Sequence, residues 1–188
     1  MLVAEPKSES ESLPVEQAIA GDPAAWDQLF RRYQLPLFTY VSELTRDRQT
    51  SLDIVQETFI NAVRHIVSLR DPEKFGSWLF GIAHQKCVQK WRRQAREAEA
   101  LEEMAAIPEP ANSDDPVDLL IRKEREAEFL ALLNRLPPPQ RSTLLLFFLE
   151  QFSIEEIAAI TGTPVGTVKS RLHYAKSAFR KLFEEEQI

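Results

Sequence analysis

The sequence is poor in the residues that build disulfides, metal clusters and tight turns. Its 188 residues include one cysteine, Cys87, and five glycines, so an intrachain disulfide and a cysteine-based metal cluster are excluded. His65, His84 and His173 are far apart and show no metal-ligand spacing. No apolar run is long enough to cross a bilayer, and the segment from Met1 lacks a charged stretch followed by an apolar one. We therefore expect a cytoplasmic protein with no metal, no cofactor and no direct membrane insertion.

Catalytic signatures and excess positive charge are also missing. No nucleophile–base pattern and no phosphate-binding loop occurs, so we predict that the protein is not an enzyme. The net charge is −6, opposite in sign to the charge that neutralises DNA phosphates. A DNA-binding protein of this composition needs either local basic patches or a partner that delivers it to DNA.

A helix-turn-helix is predicted near the C-terminus. Ser153 and Glu156 have the spacing of a capping box, which begins a short helix, and Gly162 ends it. Thr163 then predicts an N-cap and Pro164 a first helical residue. Two helices separated by so short a turn form a helix-turn-helix.

The second of these helices has the residue pattern of a DNA recognition helix. Apolar residues from Val165 to Leu182 recur at three- and four-residue steps, and no acidic residue occurs from Val165 to Lys181. The opposite face carries short polar groups with cations beside them, which suits base edges and phosphates. That face holds Thr167, Ser170, His173, Tyr174, Ser177 and Lys181, and the flanking cations are Lys169, Arg171, Lys176 and Arg180. The alternative is an ordinary amphipathic helix with a solvated basic face.

The first half of the chain also has helical periodicity. We predict helices from Pro14 to Gly21, from Asp22-Pro23 to about Leu44, and from a cap at Thr50 or Ser51 to about Leu69. The apolar stripe of the second helix includes Phe30, and that of the third includes Val63. The polar face of the third helix, with Asp53, Gln56, Glu57 and Asn61, is compatible with simple solvation.

A further helix, predicted from about Glu73 to Arg96, is apolar on two sides. Phe75, Leu79 and Ile82 form one stripe; Phe80, Cys87 and Trp91 form another. Such a helix is either buried between neighbours or presents aromatic rings on which bases stack. Core packing is the more common outcome for such aromatics, but the helix also carries a basic run without acids, at Lys86, Lys90, Arg92, Arg93 and Arg96.

The charge of the sequence changes from basic to acidic after this helix, which indicates a domain boundary. Residues 97–118 contain eight acidic residues and three prolines but no lysine or arginine, as expected of a linker. We predict an all-α fold of two small helical domains joined by this acidic linker. Residues 1–13 form a disordered tail, 14–96 the first domain, 97–118 the linker and 119–188 the second domain, which contains the helix-turn-helix; its first helix runs from about Val117 to Arg135.

The whole pattern resembles an RNA polymerase sigma factor of the extracytoplasmic-function class, reduced to regions 2 and 4. The segments that carry the resemblance are DIVQETF (53–59), FGSWLFGIAHQK (75–86), LPPPQR (136–141) and FSIEEIAAITGTPVGTVKSRLHYAKSAF (152–179). The resemblance implies a factor that binds core RNA polymerase and directs promoter-specific initiation on promoter DNA.

The resemblance also implies a role for each surface. Asp53, Gln56, Glu57 and Asn61 correspond to the surface that docks on the polymerase clamp. The residues that bind the minus-ten element of the promoter correspond to Lys74, Phe75, Trp78, His84, Gln85, Lys86, Lys90, Arg92 and Arg93. The residues that bind the minus-thirty-five element correspond to Thr167, Lys169, Ser170, Arg171, Tyr174 and Lys176. Gln85 stands where many relatives have Asn, and Tyr174 where many have Arg.

One departure from the resemblance suggests a switch. Relatives commonly have Asp-Ala-Glu-Asp where this chain has Thr50-Ser51-Leu52-Asp53, so two negative charges are absent. A Ser/Thr protein kinase that phosphorylates Thr50 or Ser51 would restore about −1.5 to −2 of charge at a helix N-terminus. Under the alternative, Thr50 is only a helix cap, and an anti-sigma factor is the partner that controls the protein.

A free-standing helix-turn-helix regulator, whose N-terminal half senses a ligand or partner, is the rival interpretation. Such a regulator has no need of the basic aromatic helix or of the DIVQETF face.

Overall fold

The structure is a computed structural model that describes residues 13–101, 133 and 135–185. Seven α-helices are defined in these residues: α1 Val15–Ile19, α2 Pro23–Thr45, α3 Arg48–His65, α4 Phe75–Leu101, α5 Pro138–Phe148, α6 Ile154–Thr161 and α7 Val165–Glu185. Short 3₁₀ turns at Ile66–Ser68 and Pro72–Lys74 connect α3 to α4. The described residues contain no strand, which confirms the all-α prediction. The linker from 102 to 118 and most of the helix predicted from Val117 to Arg135 lie outside the described residues.

The helix starts follow from local capping chemistry. The carboxylate of Asp22 accepts a hydrogen bond from the amide of Ala24 at 2.9 Å, and Pro23 occupies the first turn of α2, as predicted. The expected cap of α3 at Thr50 or Ser51 is wrong. Asp47 adopts an extended conformation and its carboxylate accepts from the Thr50 amide at 2.6 Å, so α3 begins earlier, at Arg48.

Helix α5 begins within the run Pro137-Pro138-Pro139, and Pro138 is its first helical residue. Proline fits the first turn because its missing amide hydrogen has no intrahelical partner there.

An aromatic cluster holds α4 against α2. Phe75 is fully buried, and its ring centroid lies 5.4 Å from that of Tyr33, 5.9 Å from Trp78 and 6.4 Å from Trp26. Burial of one such side chain contributes about 1.5–3 kcal/mol, and each ring pair adds about 0.5–1.5 kcal/mol beyond the buried area. This cluster therefore fixes the start of α4, which carries most of the predicted minus-ten residues.

Two predicted core positions are exposed instead. Phe30 is 42% exposed and Val63 is 53% exposed, although both lie on the apolar stripes that the helical periodicity predicted. The ring of Phe30 packs on the ring of Phe59, with a distance of 4.8 Å between the two centroids.

The second apolar stripe of α4 is explained by a second layer of helices. Phe80 and Cys87 are fully buried, and the indole N–H of Trp91 donates to the carbonyl of Leu44 at 3.3 Å. Helices α2 and α3 cover one side of α4, and α6 packs on another. The buried residues of both halves of the chain consequently form one continuous core.

None of the helices in the described part of the chain is long and apolar enough to cross a membrane. Among the same residues, no group of three or more His, Cys, Asp or Glu side chains is placed to hold a metal ion.

Candidate nucleic-acid interface

The four predicted polymerase-binding residues lie together along α3. Asp53, Gln56 and Glu57 are exposed and Asn61 is half-buried, at spacings that place them on one helix face. The amide nitrogen of Gln49 donates to the Asp53 carboxylate at 3.1 Å. This face is therefore an acidic and polar strip with its carboxylates open to solvent.

Exposed apolar residues border this strip and were missed by the sequence reasoning. Leu52, Ile60 and Val63 are each more than two-fifths exposed, and Val67 is 76% exposed. An exposed apolar group beside charged groups is typical of a protein interface. For Leu52 and Ile60 the signal was present in the sequence, because they are apolar residues beside the polar face of α3; Val63 was predicted to belong to the buried stripe, and Val67 follows the helix.

One ion pair joins α3 to the cationic helix α4. The ammonium of Lys86 lies 2.6 Å from the Glu57 carboxylate. A residue predicted to bind the minus-ten element is thus paired with a residue predicted to bind polymerase. Lys90 does not line the groove described next. The hydrogen bonds between Thr50 and the Asp47 carboxylate lower the pKa of Asp47, and the positive charge of Lys90 lowers it further.

Five of the predicted minus-ten residues line one groove. Lys74, Trp78, His84, Gln85 and Arg92 border a cleft of about 950 Å³ between α4 and α6. Arg70 and Gln89 line it as well and were not predicted. Gln89 follows Gln85 by four residues and so shares its helix face, which is the signal that could have identified it. The groove combines an aromatic ring, two amides and three cations, the side chains that stack on bases, read base edges and neutralise phosphates.

Phe75 and His84 lie in the core. Phe75 belongs to the aromatic cluster described above, and His84 is 7% exposed. The Tyr40 hydroxyl and His84 Nδ1 form a buried hydrogen bond of 2.8 Å. Burial, and secondarily the charge of Arg171, lower the pKa of His84 to about 4. These two side chains therefore position α4; Phe75 is fully buried, and only a small part of His84 borders the groove.

The recognition helix α7 has the predicted geometry. Ser153 and Glu156 form the full capping box of α6, with the Glu156 amide donating to Ser153 Oγ at 3.2 Å and the Ser153 amide donating to the Glu156 carboxylate at 2.9 Å. Gly162 ends α6 in the left-handed conformation, at φ +62°. Val168, Leu172 and Ala175 of α7 are buried, which confirms the predicted apolar stripe.

The predicted minus-thirty-five residues divide into two groups. Lys169, Ser170 and Tyr174 are exposed on one face, with Thr167 and Arg171 half-buried beside them. The ammonium of Lys176 lies about 5 Å from the ring centroids of Phe147 and Phe148 on α5, on the other flank of the helix. Tyr174 is 63% exposed, an unusual position for an aromatic ring without a binding partner.

Thr50 and Ser51 differ sharply in accessibility. Ser51 is fully buried, and its hydroxyl donates to the Asp47 carbonyl at 2.7 Å and contacts the Thr45 hydroxyl at 2.7 Å. Thr50 is half-buried in the first turn of α3.

Comparisons with known proteins agree with this arrangement. Residues 29–97 match the family model of sigma-70 region 2, and residues 126–179 match that of sigma-70 region 4. The chain is 32% identical over 180 residues to the RNA polymerase sigma-H factor of Pseudomonas aeruginosa, which covers 90% of this chain and 92% of that protein. It is 35% identical over 174 residues to the ECF RNA polymerase sigma-E factor of Escherichia coli K12, with 87% and 89% covered. The sigma factor RpoE from Bartonella quintana, solved with the anti-sigma factor NepR, has the same fold, with a TM-score of 0.68 and 24% identity over 85% of this chain and 96% of that one.

Proposed function

The chain belongs to the sigma-70 family of RNA polymerase sigma factors, in its extracytoplasmic-function class, and we propose how its surfaces divide the work of initiation. It binds core RNA polymerase and directs promoter-specific transcription initiation. The observation that carries this function is the presence of both family regions, in order, over most of the chain. Members of this family are not enzymes, and we assign the chemistry of initiation to the polymerase. A cytoplasmic location follows from that role.

We assign polymerase docking to the α3 strip of Asp53, Gln56, Glu57 and Asn61. Its exposed carboxylates and the adjoining apolar residues have the composition of an interface whose partner is basic. Asp53→Lys should weaken core polymerase binding, measured by fluorescence anisotropy of a labelled chain. Glu16→Lys on α1 is the matched control, because it makes the same charge change at an exposed site outside the strip. Equal affinity for the two variants would contradict this assignment.

We assign minus-ten recognition to the groove face of α4. Trp78 supplies a stacking surface, Gln85 an amide for a base edge, and Lys74 and Arg92 supply charges for phosphates. Trp78→Ala should weaken the binding of single-stranded minus-ten DNA by the polymerase complex by about 1–3 kcal/mol. Arg92→Ala should reduce the salt dependence of binding instead. Lys86, Lys90 and Arg93 do not line this groove, and Lys86 is paired with Glu57 in the structure.

We assign minus-thirty-five recognition to Thr167, Lys169, Ser170, Arg171 and Tyr174 of α7. Lys169→Ala should weaken promoter binding, whereas Lys176→Ala should change the stability of the second domain more than DNA binding, because its ammonium lies over two phenylalanine rings. Loss of DNA affinity in Lys176→Ala equal to that in Lys169→Ala would contradict this division.

We assign these surfaces to two domains, residues 14–96 and 119–188, joined by the acidic linker 97–118. Helix α4 extends into the first residues of this linker, as far as Leu101.

The test of the whole function is transcription on fragmented genomic DNA with core polymerase, followed by sequencing of the RNA 5′ ends. A sigma factor produces a defined set of start sites that core polymerase alone does not produce. A free-standing helix-turn-helix regulator would add none. The sequences upstream of the starts would also reveal the two promoter elements.

We infer that the phosphorylation switch, if a Ser/Thr kinase controls this protein, acts at Thr50. A phosphate on Ser51 would have to enter a buried site that its two hydrogen bonds already fill. A phosphate on Thr50 lies in the first turn of α3, where the helix dipole favours an anion, and adds charge beside the docking strip. An anti-sigma factor is the alternative control.

Polymerase affinity tests this switch. Phosphorylated wild type should bind core polymerase more tightly than the unmodified chain. Ser51→Ala should keep this response, and Thr50→Ala should lose it. Equal affinity of phosphorylated and unmodified wild type would remove the switch and leave the anti-sigma factor as the mode of control.

A further inference from the structure

A cavity opens in the second half of the chain, between the end of α5 and the C-terminal half of α7. Its volume is about 370 Å³, and none of the described residues that line it borders the groove of α4. Small-molecule sites in proteins are concave, mostly apolar spaces of about 300–1,000 Å³. Five apolar side chains and two cations form the described lining: Leu133, Leu144, Leu145, Phe148, Leu149, Lys176 and Arg180.

The apolar wall of the cavity runs from the core to the surface. Leu133, Leu144 and Leu145 are each less than a tenth exposed, and α5 packs directly on α7. Towards solvent the wall continues with Phe148 and Leu149, which are 53% and 40% exposed. Exposed apolar groups that adjoin a cavity are typical of a binding site.

Two cations lie on the solvent side of the cavity. Lys176 and Arg180 are both exposed, and their four-residue spacing on α7 places them side by side. The Lys176 ammonium lies 5.0 Å from the ring centroid of Phe147 and 5.1 Å from that of Phe148, so the two rings attract it to the opening. No carboxylate is among the described residues that line the cavity. The positive charge at the opening is therefore complementary to an anion.

An apolar wall with cations at its mouth fits a hydrocarbon chain that ends in one anionic group. Burial of the chain removes apolar area from water, both on the ligand and on the leucine and phenylalanine side chains. The anionic group stays at the mouth, beside Lys176 and Arg180. A cationic amphiphile would be repelled there, and a hydrophilic anion such as phosphate would leave the apolar wall in contact with water.

The shape of the site favours a single dissolved molecule over a membrane surface. Helices that bind a bilayer carry a broad apolar face along their length. The exposed side of α7 instead carries polar residues, among them Lys169, Ser170 and Ser177. The apolar area is confined to the cavity and its rim, which suits one hydrocarbon chain.

We propose that this cavity binds a medium-chain fatty acid, with its chain against Leu144, Leu145 and Phe148 and its carboxylate beside Lys176 and Arg180. No residue to which polymerase or DNA binding is assigned above lines the cavity, so the proposal does not depend on the sigma function. A bound acid contacts both α5 and α7 and stabilises the second domain by linkage, as any ligand of the folded state does.

Calorimetric titration of the full chain with decanoate, kept below its micelle concentration, tests the proposal. Decanoate should bind with one-to-one stoichiometry, and octanoate about tenfold more weakly because it buries two fewer methylenes. Decyltrimethylammonium has the same chain and the opposite charge, and it should bind at least about tenfold more weakly than decanoate. Absence of saturable decanoate binding, or equal affinity for the two head groups, would overturn the proposal.

Substitutions locate the bound acid. Leu149→Trp puts a larger side chain at the mouth of the cavity and should abolish decanoate binding, whereas Leu35→Trp, at a 68% exposed position of α2, should leave it unchanged. Lys176→Gln/Arg180→Gln should weaken binding about fivefold through loss of two exposed charge contacts. Lys169→Gln is the matched control on the same helix. Equal decanoate affinity in wild type and Leu149→Trp would place the ligand elsewhere and overturn the proposal.

Other occupants of the cavity would give distinct results. Binding of the chain to phosphatidylglycerol vesicles without binding of dissolved decanoate would identify a membrane-docking surface. A dimer in analytical ultracentrifugation that Leu149→Trp abolishes, again without decanoate binding, would identify a second copy of the chain. Either result overturns the proposal. The comparison of head groups uses wild type alone, so it decides the question even where a variant fails to fold by circular dichroism.

Discussion

The buried His84 should make stability depend on pH in a window where few other groups titrate. Its ring is 7% exposed and hydrogen-bonded to the Tyr40 hydroxyl, and burial together with Arg171 lowers its pKa to about 4. Burial also raises the pKa of Tyr40 well above its usual value, so the hydroxyl stays protonated and can donate to the neutral ring. A protonated ring would have to donate instead and would carry a charge in an apolar site next to a cation.

The sign and size of the effect follow from linkage. The histidine pKa is about 6.5 in the unfolded chain and about 4 in the folded one, so between these values the unfolded state binds more protons and acid favours unfolding. The full difference between the two pKa values corresponds to about 3 kcal/mol of unfolding free energy. About 2 kcal/mol of this is lost as the pH falls from about 7.5 to about 5. The stability is therefore complete above the unfolded pKa and declines as the pH falls towards 4.

Urea unfolding followed by circular dichroism at several pH values measures this loss. His84→Asn is the control, because it retains a polar atom near Tyr40 but does not titrate. The unfolding free energy of wild type should fall by about 2 kcal/mol more than that of His84→Asn over the same range. Parallel pH profiles for the two proteins would refute the assignment of this effect to His84. The pKa of Glu156 is lowered, because its hydrogen bonds with Ser153 and the charge of Lys74 outweigh its partial burial, and its titration contributes equally to both proteins.

Four further substitutions have defined expectations in urea unfolding. Ser153→Ala should lower the unfolding free energy by about 1 kcal/mol, because it removes the cap of α6; no change would mean that the cap contributes nothing. Gly162→Ala should lower it by about 1–2 kcal/mol, since its φ of +62° is left-handed, whereas Gly166→Ala should raise it by up to about 1 kcal/mol; equal effects would contradict the backbone argument. Phe75→Leu should lower it by about 1–2 kcal/mol through loss of aromatic packing, yet leave minus-ten DNA binding by the polymerase complex unchanged; a selective loss of that binding would place Phe75 at the DNA.

Features encoded within a few residues were predictable from the sequence. The helix-turn-helix depends on Ser153, Glu156 and Gly162, which act on amides and carbonyls three or four residues away, and its limits were predicted closely. The start of α3 was mispredicted because two local signals compete there. Asp47 and Thr50 are both able to cap a helix, and the carboxylate of Asp47, in an extended conformation, accepts the Thr50 amide.

Features that depend on distant packing could not be predicted. The periodicity of α4 gives two apolar stripes, but nothing in the stripes says which neighbour covers each of them. Phe75 is covered by α2, and Phe80 meets Phe152, a residue of the second half of the chain. The same limitation applies to His84. A histidine in a basic, aromatic helix fits DNA binding as well as burial, and only the position of Tyr40 on α2 distinguishes the two.

The charge distribution explains how a chain with a net charge of −6 can serve a DNA-binding role. Phosphate binding requires free cations, since affinity derives from the counterions that they displace. In the structure, Lys86 is paired with Glu57 and Lys74 with Glu156, so cations on both flanks of α4 are already neutralised by the chain itself. Glu57 lies on the strip assigned to polymerase docking. Binding of polymerase to α3 would therefore compete for Glu57 and release Lys86, which raises the positive charge that α4 offers to DNA phosphates.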